Sequence, residues 1–123
     1  MTNKNPEERA KELLDKIKDD FKKRKITIAV GKTDSDFSLV GTSEKYMQND
    51  VLNSIEKNEI VATPNQNKHA EEDIIDEAEK REVKITDIGA SRPICIDCEE
   101  IIKENNITSH TEFSGKKSKK RRK

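Results

Sequence analysis

Ala10, Leu13, Leu14, Ile17 and Phe21 recur at helical spacing. They follow Asn5, a capping residue, Pro6, which suits the first helical position, and Glu7 and Glu8, which complement the positive end of a helix dipole. The pattern predicts one amphipathic helix over 6–24. Its basic end, Lys22 to Lys25, suits the negative pole of the dipole. The period then changes to two. Ile26, Ile28 and Val30 alternate with smaller or polar residues, Gly31 to Asp36 reads as a turn, and Phe37 to Val40 resumes an extended pattern, so a hairpin is expected. Ser43 is placed to cap a second helix containing Tyr46, Met47, Val51, Leu52 and Ile55, and Ile60 to Ala62 reads as a short strand. Past the polar Pro64 to Lys68 run, Ala70, Ile74, Ile75 and Ala78 form another helical stripe. Val83 to Ile88 reads as a strand and Gly89 as its breaker. Pro93 suits the start of a helix with Cys98, Ile101 and Ile102 facing inward, and Ile107 to Phe113 reads as a last short strand. Strands alternating with helices imply an α/β layered fold, helices covering a sheet.

The 123 residues suit one domain, expected over 1–115 with the helix 6–24 ahead of a core over 26–113. With 30% hydrophobic and 41% charged residues that core is small, and a bound metal would help it. The formal charge is zero, yet it is unevenly spread. Lys116, Lys117, Lys119, Lys120, Arg121, Arg122 and Lys123 form a basic tail over 116–123, read as a solvated, disordered arm. Subtracting those seven from the 25 basic residues leaves 18 against 25 acidic ones, so the body is acidic. No apolar run approaches the roughly 20 residues that span a bilayer, and the N-terminus carries no apolar signal core. A site of action in the cytoplasm is therefore expected, with no membrane partner.

Cys95 and Cys98 are spaced as in metal sites and redox pairs. At i and i+3 of a helix their side chains share a face, and a helix N-terminus favours the deprotonated sulfur a metal requires. His69 opens the preceding helix and adds an imidazole. Three protein ligands leave one tetrahedral position for water, as in catalytic zinc sites. Glu71, two residues beyond His69, is placed to move protons and not to bind metal.

His69-Ala70-Glu71 followed by Pro93-Ile94-Cys95-Ile96-Asp97-Cys98 resembles the zinc-dependent cytidine deaminase-like superfamily, whose pattern is H-x-E followed by P-C-x-x-C. The resemblance covers roughly residues 26–113, with one departure: Ile94 separates Pro93 from Cys95. Gly89-Ala90-Ser91-Arg92-Pro93 and the Gly115-Lys116-Lys117 type of ending look like the bacterial polymorphic-toxin deaminases. The resemblance implies a three-layer fold with a central mixed sheet of about four or five strands. It also implies one Zn2+ on His69, Cys95 and Cys98, with Glu71 catalytic. The expected activity is hydrolytic conversion of cytosine to uracil in nucleic acid, single- or double-stranded DNA ahead of RNA. Ala70, Ser91, Arg92 and Pro93 are candidate substrate contacts, the tail is a candidate phosphate-binding arm, and an inhibitor (immunity) protein is a candidate partner. Competing readings are a metabolic nucleoside or base deaminase and a non-enzymatic domain with a structural zinc closed by His110; thioredoxin-like redox chemistry leaves His69 and Glu71 without a role.

Overall fold

The structure of the protein, a computed structural model, describes residues 5–64 and 68–117. Helix α1 (Pro6–Asp15) opens on a reciprocal cap: Asn5 Oδ1 accepts from the Glu8 N–H at 2.9 Å, and the Glu8 carboxylate accepts from the Asn5 N–H at 3.1 Å. The helix expected over 6–24 then divides in two. Lys16 and Ile17 donate to Leu13 and Leu14 carbonyls in a tightened last turn, and Asp19 restarts the chain as α2 (Asp20–Lys25) by accepting from the Phe21 and Lys22 N–H groups. Aspartate competes with the helical backbone inside a helix and serves it at an end, which is why the apolar period did not carry through. Ile17 turns into the core, whereas Phe21 is left 63% exposed.

The sheet has the order β3-β2-β1-β4-β5. Strands β1 (Ile28–Thr33) and β2 (Ser38–Thr42) form the expected hairpin, and β1 is also antiparallel to β4 (Ile85–Ala90). The outer strands β3 (Glu59–Val61) and β5 (Thr108–Ser109) pair in parallel with β2 and β4, making the sheet mixed. Side chains alternate across it. Ile28, Val30 and Val40 join Ala10 and Leu13 of α1 on one face; Ala29, Leu39, Ile88 and Ala90 join the other core, under α4 (Ala70–Lys80) and α5 (Ile96–Glu104). The result is an α/β fold of three layers, helix, five-stranded mixed sheet and helix.

Two glycines let helices approach the sheet closely. A Cβ on Gly41 would stand 2.6 Å from the Ala70 carbonyl oxygen, so the first turn of α4 lies directly on β2. A Cβ on Gly89 would stand 2.1 Å from the Glu7 nitrogen. Gly89 is thus a member of β4 under α1 and not the strand breaker its composition suggests, because the missing side chain is used for contact and not for a turn. The second helix also differs from expectation. Ser43 closes the hairpin, its hydroxyl accepting from the Thr27 N–H at 2.9 Å, and only α3 (Asn49–Leu52) forms, leaving Tyr46 71% exposed.

Candidate metal centre

The first turns of α4 and α5 carry the site. His69 stands at the N-cap of α4 in extended conformation, its N–H donating to Glu72 Oε1 at 2.7 Å. That bond satisfies one backbone donor at the helix entrance and fixes where the imidazole leaves the chain. Cys95 occupies the N-cap of α5, and Cys98 lies in its first turn, 1% exposed. Pro93 does not open that helix, as its type suggested; it lies exposed in the loop. The extra residue Ile94 explains the shift. It is completely buried in a parallel bridge to Phe113, donating to the Glu112 carbonyl and accepting from the Ser114 N–H, and this sheet-like pairing delays the helix until Ile96.

These placements bring the three expected ligands together. A ring nitrogen of His69, Cys95 Sγ and Cys98 Sγ all lie within 4.8 Å of one another, and Cys95 Sγ is 3.8 Å from His69 Nδ1. Ideal tetrahedral bonds of about 2.3 Å to sulfur and 2.0–2.1 Å to nitrogen separate such donors by roughly 3.6 Å. The cluster is therefore close enough to hold a metal ion. Two sulfurs and an imidazole suit a borderline-soft divalent cation better than magnesium or calcium.

Glu71, 4% exposed, places Oε1 3.9 Å from Cys98 Sγ, beside the donor set. Burial pushes the Cys98 thiol far above its ordinary range, and the neighbouring charges of Glu71, Cys95 and Glu72 push in the same direction. A cation within reach of the sulfur acts oppositely, since it repays the loss of water around the thiolate.

No protein-family model, curated protein or solved structure matches this chain. The chemistry of the site is carried by its own residues.

His110 does not join the cluster. Its Nε2 lies 2.9 Å from Asp87 Oδ1, holding the Asp87 carboxyl below its usual range. With Glu7 and Lys11 of α1 it lines a cleft of about 470 Å3 on the sheet face opposite α4, so the closed two-Cys, two-His arrangement is not formed. The candidate substrate contacts divide. Ala70 is completely buried, its carbonyl group lying against Gly41. Ser91 continues the pairing of β4 with β1, donating its N–H to the Ile28 carbonyl and accepting from the Ile28 N–H on Oγ. Ser91, Arg92 and Pro93 line the His110 cleft.

Of the tail, Lys116 and Lys117 are described; Lys119, Lys120, Arg121, Arg122 and Lys123 lie outside the described residues. The Lys116 carbonyl accepts from the Ile96 N–H at 3.0 Å, one residue past Cys95. The basic segment thus begins at the entrance to α5, a placement its sequence position does not suggest. Spacing likewise missed the exposure of Phe21 and Tyr46; the only hints were Asp19 ahead of one ring and the polar residues around the other. No helix among the described residues is long and apolar enough to cross a membrane.

Proposed function

We infer that the protein is a zinc-dependent hydrolytic deaminase, toxin-like, that converts cytosine to uracil in nucleic acid, DNA ahead of RNA. The observation that carries this reading is the convergence of His69, Cys95 and Cys98 with the buried Glu71 carboxylate beside them and outside the donor set. Zinc on these ligands would supply hydroxide near neutral pH by lowering the pKa of a bound water to about 7. The remaining work belongs to Glu71. In the net reaction an oxygen from water bonds to ring carbon C4, the bond from C4 to its amino nitrogen breaks, and ammonia leaves. Glu71 carries a proton from the water to the ring nitrogen and then to the departing amine. Its burial keeps bulk water from competing for that proton.

A polynucleotide is favoured over a free nucleoside because the basic segment starts next to Cys95 at the α5 entrance. Its positive charges suit phosphates flanking a base drawn into the pocket. A toxin of this kind would be paired with an inhibitor (immunity) protein covering the same opening.

Product mass spectrometry on single-stranded DNA, duplex DNA, RNA and free cytidine tests the reading, since replacing an amino group by a carbonyl changes the mass in a defined way. Conversion is expected with wild-type protein and is expected to vanish in Glu71→Gln with zinc content unchanged. Zinc-loaded wild-type protein that converts none of the four substrates would refute the activity and leave a structural metal site.

A further inference from the structure

Only four aromatic residues occur in the chain, and two of them stand in solvent at one cleft. The cleft, about 800 Å3, lies between α2 and the segment that follows β2. Its floor is apolar, formed by the buried Ile17, Ile26 and Met47. Phe21 and Tyr46 rise from its walls, 63% and 71% exposed. Helix α2 itself buries none of its residues, so core packing does not account for its phenylalanine.

Each ring has a cation beside it. Lys25 Nζ lies 4.2 Å from the centre of the Phe21 ring, and Lys45 Nζ lies 5.5 Å from that of Tyr46. Lys22 adds a third ammonium to the lining. Asp19, Glu44 and Asp50 also line the cleft, but Asp19 is turned to the Phe21 and Lys22 N–H groups and Asp50 to the Lys18 N–H. Two exposed rings at one cleft, each with an ammonium group beside it, fit a strand whose bases stack and whose phosphates run along the lysines. Duplex DNA keeps its base faces covered.

The cleft also lies at the same end of the sheet as the metal ligands. Gly41, on which the His69 end of α4 rests, is two residues before Ser43, where the segment bearing Tyr46 begins. Ile28, which follows α2, pairs with Ser91 on the chain leading to Cys95.

We propose that Phe21 and Tyr46 form a stacking platform for single-stranded nucleic acid, holding nucleotides that flank the base presented to the metal centre. The proposal rests on the nucleic-acid reading given above. Both rings are exposed, so Phe21→Ala and Tyr46→Ala leave the core intact.

Binding of a fluorescein-labelled oligothymidylate is measured by anisotropy with wild type, each alanine variant, the double variant and Tyr46→Phe, alongside zinc content and conversion of free cytidine. Each alanine substitution is expected to weaken binding roughly tenfold and the pair roughly a hundredfold. Tyr46→Phe, which keeps a stacking face, is expected to bind like wild type. Zinc content and conversion of free cytidine are expected to stay level in every variant. Unchanged affinity in the double variant overturns the platform, as does a duplex competitor that displaces the oligothymidylate as well as a single strand does. So does self-association of wild type that is lost in Tyr46→Ala without loss of oligothymidylate binding, which would mark the cleft as a protein interface. Loss of binding in the variants of a protein that deaminates nothing supports the platform while removing the proposed activity.

Discussion

Adding one methyl group at Gly41 is expected to weaken metal binding from a position outside the ligand set. An alanine Cβ there would lie 2.6 Å from the Ala70 carbonyl oxygen, 3.1 Å from Ile74 Cγ1 and 3.3 Å from the Ala70 carbonyl carbon. Ordinary C···O contact begins near 3.3 Å, so the first turn of α4 must retreat by about 0.7 Å. Metal–ligand distances tolerate about 0.2 Å, and His69 immediately precedes Ala70. The helix cannot back away and leave the imidazole in place. Overpacking of this kind costs about 1–3 kcal/mol, and alanine regains about 0.4–1 kcal/mol by restricting the unfolded chain. The net loss of about 1–2 kcal/mol corresponds to a fall in Tm of roughly 4–8 °C.

Gly31→Ala is the control on the same face. Its Cβ would meet Ile74 Cγ2 at 2.7 Å and Ile85 Cδ1 and Cγ2 at 3.2 and 3.3 Å, side-chain atoms more than a helical turn away from His69 and not the backbone that carries it. Calorimetry of unfolding and a competitive zinc-chelator titration read both variants. Gly41→Ala is expected to lose about 10- to 100-fold in zinc affinity, like other changes to a metal site's supports, whereas Gly31→Ala loses far less at a similar Tm. Equal zinc affinity in the two variants at matched stability would refute the claim that Gly41 sets the position of His69.

Metal analysis of purified variants is expected to find zinc lost from His69→Ala, Cys95→Ala and Cys98→Ala and kept in His110→Ala, whose imidazole is tied to Asp87; the reverse for the two histidines would replace the ligand set. Removing 118–123, which keeps the Lys116 carbonyl on the Ile96 N–H, is expected to leave zinc content unchanged and to flatten the dependence of log affinity for oligonucleotide on log salt, since the charges of Lys119, Lys120, Arg121, Arg122 and Lys123 leave with it; identical slopes would deny the tail a phosphate-binding role. Arg9→Ala is expected to cost about 3 kcal/mol or more in urea denaturation, because Arg9 Nε and Nη2 each donate at 2.8 Å to the buried Glu59 carboxylate, and the variant leaves that charge unpaired. The double variant Arg9→Met with Glu59→Leu is expected to recover much of the loss, and a double variant as unstable as Arg9→Ala would show that packing, not the buried charge, is responsible.

The ligand pattern was legible in the sequence because it is local. A cysteine pair one helical turn apart and a histidine at a helix entrance are specified by spacing and by the chemistry of helix ends, and the fold needed only to bring two entrances together. The same locality made the β1–β2 hairpin and the helix after His69 readable from their periods. Periodicity failed where two local preferences competed. The stripe ending at Phe21 predicts one helix, but Asp19 caps a new one and sends the ring outward. The spacing after Ser43 predicts a helix, but the Ser43 hydroxyl is taken by Thr27 across the hairpin. Composition reads Gly89 as a breaker, although what matters there is α1 lying against its missing side chain. The role of Ile94 depends on Phe113, nineteen residues away, and the position of Lys116 beside Cys95 depends on the same return of the chain. Contacts between segments distant in sequence leave no periodic trace. Tertiary structure alone decided that His110 lies across the sheet from the ligands, and that two of the four aromatic rings face solvent at the end of the sheet where the metal ligands meet.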